Sequence, residues 1–418
     1  MSASNIAFIL TGSIACPKAC EVLSALVQLG HRVRVVATPS ALRFVGAPAL
    51  EGLSGLPVLS DMFAPGAALE HISLCRWSDA VVVCPATASS LNRLSAGLAD
   101  DLPGALFLAH DRAKPWLMVP AMNPSMWAHP ATQASVSRLE EWGVRILPVA
   151  SGRTACGELG EGRMIEPGAV VREVRRSLAR PARRLRVLIT GGGTSEAVDA
   201  VRVLTNTSTG RTAALIANHL DLAGHDVVLL RAASAVPAHD GVRQPTFTSF
   251  ADLDGRLSEL LGATEFDAVV HAAAVSDFGV ESVQVDGREA DRGGKVPSAG
   301  EVTLKLFRHP KLIDRLRRLS ANPRIVVVGF KLAGGGGPTC ADAVRDLFER
   351  GVADLVVFND AAWRDGAFPA QVHRPDGAVI HCKDRMMLAT ELERLLVAAS
   401  ATQEPSNTQT HAPHAALP

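Results

Sequence analysis

The sequence predicts an α/β protein of two open, mainly parallel-sheet Rossmann-like domains. Two observations carry this. Short apolar runs alternate with helix-like stretches through most of the 418 residues, the rhythm of a parallel sheet covered by helices. That rhythm then restarts at "LRVLITGGGT" (185–194), and "GHRVRVVAT" after the first helix is echoed by "GHDVVLLRA" later. In each half the first strand runs straight into a glycine turn, "TGS" or "TGGGT".

In order, "IAFIL" (6–10) reads as a buried strand, followed by a helix from about 17 to 29. "HRVRVVAT" (31–38), "AVVVCPA" (80–86), "PWLMVPAMN" (115–123) and "VRILPVA" (144–150) are the later strands of the first half. In the second half they are "LRVLITGGGT", "HDVVLLRA" (225–232), "DAVVHAAAV" (267–275), "RIVVVGFKL" (324–332) and "ADLVVFND" (353–360). We expect domains at 1–170 and 185–400, an arginine-rich linker at 171–184 and a polar, disordered tail at 401–418.

Composition excludes some classes. Lysine plus arginine balance aspartate plus glutamate at 42 each, so no global field favours nucleic acid or an acidic membrane surface. No apolar run reaches the length of a membrane span. Residues 1–10 lack a basic leader, and the seven cysteines form no CxxC pair or zinc-like set. We expect reduced thiols and a cytoplasmic protein.

In the first half, "LTGSIACPK" (10–18) offers Gly12 and Ser13 at a helix start, and "ATPSALRF" (37–44) offers Thr38 and Ser40. Pro85, Ala86 and Thr87 follow the next strand. Strand ends at the carboxyl edge of a parallel sheet are the usual ligand crevice. His71 precedes a helix-like segment, and Asn123 follows a strand, fit to cap a helix or to hold a substrate amide or carboxylate. Cys156 lies in the glycine-rich stretch "TACGELGEGRM" (154–164), read as a flexible loop.

"GSIACPK", "EHISL…WSDAVVVCPATA…AGLADDL", "PAMNPSMW" and "ACGELGEGRMIEP" together resemble the flavin-dependent decarboxylases of 4′-phosphopantothenoylcysteine, over about 1–170. The resemblance implies FMN bound by Gly12, Ser13, Thr38, Ser40, Pro85, Ala86 and Thr87. It makes His71 an active-site histidine, Asn123 the binder of the substrate carboxylate, and Cys156 the acid on a substrate-covering loop. The chemistry suits these residue types. Oxidation of the cysteinyl group to a thioaldehyde places an electron sink β to the carboxylate, so CO2 leaves readily. The enethiolate left behind needs a proton, and a thiol titrating near about 8.5 supplies one at neutral pH.

In the second half, "ITGGGTSE", "TNTSTGR" (205–211), "AAAVSDF" and "VVVGFKL" resemble, in order over about 185–360, phosphopantothenate–cysteine ligase domains. That implies CTP as the substrate that activates 4′-phosphopantothenate for attack by cysteine, with Mg2+. Asn206 would hold the acyl intermediate; Ala273, Ala274, Asp277 and Phe330 would contact CTP; Lys295 would offset charge at the α-phosphate. Arg202 and Arg211 share the signature segment. The chain departs from the pattern at "KVPS" (295–298), "HPKL" (309–312) and "AGGGG" (333–337), and Arg345 and Arg350 stand near where a lysine pair is usual. Two alternatives stay open: a decarboxylase with an altered or inactive ligase-like domain, and a flavin-binding regulatory protein. Against the regulator, His71, Asn123 and Cys156 are all present, and a pure binder needs none of their proton chemistry. By the same resemblance the flavin site lies at a subunit interface in a homo-oligomer built from trimers.

Overall fold

The computed structural model describes residues 3–64, 66–153, 157–179, 181–297, 299–333, 340–360 and 369–401. Two compact units divide at Ala179 and Arg180.

The first unit runs β1 (Asn5–Leu10), α1 (Cys16–Gln28), β2 (Arg32–Ala37), α2 (Ala47–Ser54), α3 (Glu70–Trp77), β3 (Ala80–Ala86), α4 (Ala88–Ser95) and α5 (Leu102–Ala109). It continues with β4 (Trp116–Pro120), α6 (Pro124–Ala128), α7 (Pro130–Glu141), β5 (Arg145–Ile146), β6 (Ala150–Arg153), β7 (Leu159–Arg163) and α8 (Pro167–Leu178). The main sheet has the order β2-β1-β3-β4-β5 and is parallel throughout. Both faces are buried, which is why the strands are continuously apolar. Ile6, Phe8 and Leu10 of β1 face one core with α1 and α8; Ala7 and Ile9 face the other, with α3 to α5 and α7.

The expected linker begins too early. Residues 171–178 complete α8, whose Val170, Val171 and Val174 are buried in the first unit's core. The period-3.6 valines, not the arginines, decide the matter.

The second unit runs β8 (Arg186–Gly191), β9 (Ser195–Ala197), β10 (Val203–Thr205), α9 (Arg211–Leu222), β11 (Asp226–Ala232), β12 (Thr246–Phe247), α10 (Phe250–Ala263) and β13 (Ala268–His271). Then come β14 (Phe278–Val285), β15 (Arg288–Glu289), β16 (Val302–Arg308), α11 (Leu316–Leu319), β17 (Val326–Ala333), α12 (Cys340–Glu349) and β18 (Leu355–Asp360). β19 (Ala370–His373), β20 (Val379–Cys382) and α13 (Arg385–Ala401) close the chain's described part. The large sheet is ordered β12-β11-β8-β13-β17-β18-β19-β20, parallel up to β18 and antiparallel beyond.

A separate antiparallel sheet, β15-β14-β16, interrupts this rhythm between β13 and β17 and was not anticipated. Its hairpin turns on Asp286 and Gly287, both at positive φ (48° and 75°), between the paired residues Val285 and Arg288. Asp-Gly is the dipeptide such a two-residue turn demands. The tail beyond 401 lies outside the described residues. Among the described residues, no helix is long and apolar enough to cross a membrane.

Candidate active sites

In the first sheet the chain leaves β1 for β2 on one side and leaves β3 for β4 on the other. Such a switch point opens a crevice at the carboxyl ends of β1 and β3. The expected residues converge there. Gly12 follows β1 so tightly against the end of β2 that an added Cβ would lie 2.6 Å from Ser40 Cβ. Thr38 and Ser40 hydroxyls are 3.1 Å apart. Thr11, missed in the sequence, stitches the two strand ends: its hydroxyl donates to Pro85 O at 2.7 Å and accepts from Thr87 N at 3.2 Å. Thr87 caps α4, accepting from Ser90 N at 3.2 Å. A small-residue floor, a hydroxyl rim and the glycine–serine turn before α1 fit the flat ring and phosphate of FMN; Gly12, Ser13, Thr38, Ser40 and 85–87 would hold it.

Asn123 caps α6 as expected, its Oδ1 accepting from Met126 N at 2.9 Å. Its Nδ2 donates to Glu158 Oε2 at 2.7 Å, so the amide already faces a carboxylate. Glu158 was not singled out, because only the hairpin β6–β7 brings it there. The glycines of that stretch turn out to serve packing. Gly162 (φ 138°) accepts a hydrogen bond from Met122 N at 2.9 Å, and a Cβ on Gly160 would lie 2.8 Å from Pro124. The flexible loop expected there is therefore, over 159–163, a strand laid against the Asn123 segment. Cys156 lies outside the described residues. His71 lies within α3 rather than before it, and no hydrogen bond joins it to the edge residues. Its neighbour Glu70 pairs with Arg34 of β2 at 2.7 Å.

The described cysteines form no disulfide. Burial pushes the thiols of Cys16, Cys75 and, most strongly, Cys84 up, so these are packing residues.

In the second sheet the switch point falls between β8 and β13. Gly192 (φ 88°) and Gly193 carry the chain across it; a Cβ on Gly193 would sit 2.7 Å from Asn206 O. Asn206 Nδ2 donates to Ala274 O at 3.1 Å, and Ala274 N donates to Gly192 O at 2.8 Å. Asn206, the glycine turn and the Ala273–Ala274 stretch therefore meet. Below them Thr190 Oγ1 accepts from Ala273 N at 3.2 Å and lies 2.9 Å from His271 Nδ1. Burial holds that imidazole down at about 4, so it is neutral. Phe330 on β17 is half-buried against the α9 and α13 side of the core.

Arg202 is not at this edge. Its guanidinium is committed to the buried Asp199 and donates to Val296 O at 2.6 Å. Asp199 also accepts from Val296 N at 3.0 Å. The Arg202 hydrogen bond holds the Asp199 carboxyl well below the usual range. Together they clamp the residue next to Lys295, which is exposed and has no ion pair among the described residues. Asp277 contacts Lys311, another residue the sequence did not single out. Arg350 forks onto Asp314 at 3.0 and 3.1 Å, and Arg345 lies 3.5 Å from Asp342. Among the described residues, no group of three or more His, Cys, Asp or Glu is placed to hold a metal ion.

The family matches fall on the same two units. Residues 1–179 match the flavoprotein family and residues 182–402 the DNA/pantothenate metabolism flavoprotein C-terminal domain. The chain is 36% identical to the coenzyme A biosynthesis bifunctional protein CoaBC of Mycobacterium bovis, over 84% of each chain. The chain belongs to the CoaBC family of bifunctional coenzyme A biosynthesis proteins. The CoaBC of Haemophilus influenzae is 30% identical, over 87% of this chain and 88% of that one. A solved DNA/pantothenate metabolism flavoprotein from Streptococcus pneumoniae is 26% identical, covering 51% of this chain and 99% of its own, with a TM-score of 0.45. Membership makes the protein an enzyme of coenzyme A biosynthesis with a flavoprotein decarboxylase domain and a ligase domain.

Proposed function

We propose that the first unit decarboxylates 4′-phosphopantothenoylcysteine to 4′-phosphopantetheine with FMN, and that the second joins 4′-phosphopantothenate to cysteine at the expense of CTP. The observation that carries this reading is shared by both units. In each, an asparagine amide, Asn123 or Asn206, stands beyond the carboxyl end of a central strand, beside glycine and small-residue turns.

In the decarboxylase, FMN supplies two-electron redox chemistry when bound at the β1/β3 edge. Asn123 Nδ2 holds the substrate carboxylate, which displaces Glu158. The hairpin that carries Glu158 covers the substrate. Cys156 delivers the proton to the carbon skeleton after CO2 has left, and His71 is the second proton-exchanging group of the site.

In the ligase, a carboxylate oxygen of 4′-phosphopantothenate attacks the α-phosphorus of CTP, and the bond to pyrophosphate breaks. Asn206 holds the acyl-cytidylate. The cysteine amine then forms the amide and CMP leaves. Ala273, Ala274, Asp277 and Phe330 seat the nucleotide, Lys295 offsets charge at the α-phosphate, and Mg2+ enters with the phosphates. The protein is cytoplasmic and assembles from trimers. The exposed apolar side chains of Ile14 (68%), Phe63 (80%) and Leu69 (72%) support such an assembly in the first unit.

Two variants test the division of labour. Asn123→Ala should abolish CO2 release from supplied 4′-phosphopantothenoylcysteine while pyrophosphate release continues. Asn206→Ala should do the reverse, with a loss of roughly a hundredfold. Equal loss of both activities in either variant would sink the assignment.

A further inference from the structure

We propose that Lys311 binds the phosphate chain of the nucleotide in the second unit, and that Asp277 holds it in reserve until that chain arrives. This rests on the ligase reading given above.

The first argument is the mount. Lys311 precedes Leu312, which is 3% exposed in the core. The His309 ring lies flat on Phe250, with centroids 3.9 Å apart and planes at 2°. His309 N donates to Asp277 O at 2.9 Å, and Asp314 N donates to Lys311 O at 3.2 Å. The backbone is fixed on both sides of Lys311, yet the side chain itself is 50% exposed.

The second argument is the partner. Lys311 Nζ rests on Asp277 Oδ1, a carboxylate that is 57% exposed. An ion pair that open to water adds little net stability, so it yields readily to a stronger anion. A triphosphate carries several charges to the single one on Asp277. The exchange releases Asp277 at the moment the nucleotide needs a hydrogen-bond acceptor there.

The third argument is elimination among neighbouring cations. Arg202 is committed to the buried Asp199 and to Val296 O, and Arg350 reaches both carboxylate oxygens of Asp314. Lys311, held by one exposed carboxylate, stays available to the phosphates. Lys311 stands beside Asp277, three residues past Ala274, on the carboxyl side of β13. Its role is electrostatic and makes or breaks no bond.

Lys311→Gln and Lys311→Arg in the full chain decide the point. CTP binding is measured by calorimetry without 4′-phosphopantothenate, and pyrophosphate release with it. Lys311→Gln should weaken CTP, in Kd and in KM, by about tenfold or more, with a smaller change in kcat and an unchanged KM for 4′-phosphopantothenate. Lys311→Arg should restore most of the affinity, which a merely misfolded site would not show. CTP affinity within about twofold of wild type in Lys311→Gln would overturn the proposal while leaving the ligase reading intact. If wild type binds CTP but releases no pyrophosphate, the ligase reading fails, and a lower affinity in Lys311→Gln still upholds Lys311. If wild type binds no CTP, both fall.

Discussion

Asn123 has two duties that mutation can separate. Its Oδ1 caps α6 and its Nδ2 faces a carboxylate. Asn123→Asp keeps the capping acceptor but replaces the donor by a charge that repels the substrate carboxylate. Thermal unfolding should therefore change little, whereas Asn123→Ala costs about 1 kcal/mol for the lost cap. CO2 release should fall by at least roughly a hundredfold in both. Cys156→Ser should still release CO2 but yield an unreduced product in place of 4′-phosphopantetheine; mass spectrometry showing normal product would remove Cys156 from its role. His271 gives a pH prediction. Burial lowers its folded-state value to about 4, below the ordinary value of about 6.5. The unfolded chain therefore takes up the proton first. The stability due to the neutral ring is complete above about pH 6.5 and is lost as pH falls towards 4, by about 3 kcal/mol in all. Denaturant titrations at pH 7, 6 and 5 should show a steeper fall for wild type than for His271→Gln. The capping role of Asn123 was readable from "NP" alone. Its pairing with Glu158, like that of Asp277 with Lys311, was not, because both depend on distant segments folded together.

At the scale of elements, the segment before β16 shows how this fold holds Lys295, the residue proposed to face the α-phosphate, without a rigid strand beneath it. Arg292 donates to Val198 O at 3.2 Å and to Val280 O at 2.8 Å, and Asp199 and Arg202 grip both main-chain groups of Val296. Lys295 is thereby lashed to the β9–β10 hairpin. Arg202→Ala should speed hydrogen exchange over residues 292–297 and lower pyrophosphate release, with CO2 release untouched. Unchanged exchange would show that the clamp does not hold the segment. The parallel strands were legible because burial on both faces leaves continuous apolar runs. The β15-β14-β16 sheet is not legible as a buried strand, since β16 is exposed along its whole length and carries no continuous apolar run. The Asp286-Gly287 turn was the available signal for it. β6–β7 was hidden for another reason: its glycines look like loop but serve close approach to Met122 and Pro124.

For the whole molecule, two open sheets of different strand order each present a switch point; at the first lie Gly12, Thr38, Ser40 and Thr87, and at the second Asn206 meets Ala274. The sequence motifs located both edges because the residues of an edge follow directly from their strands. They gave Arg202 no partner, because Asp199 and Val296 are brought to it only by the fold. Assembly is a separate test: light scattering should return a mass that is a multiple of three chains, and a monomer would contradict the proposed trimer. The central claim, one chain with two chemistries, is tested most directly by a paired assay. A single preparation of the full chain is given CTP, Mg2+, 4′-phosphopantothenate and cysteine, and pyrophosphate and CO2 are followed together. Our account predicts pyrophosphate first, then CO2 in equal final amount, with 4′-phosphopantetheine as product. CO2 from supplied 4′-phosphopantothenoylcysteine, with no pyrophosphate from CTP, would contradict it.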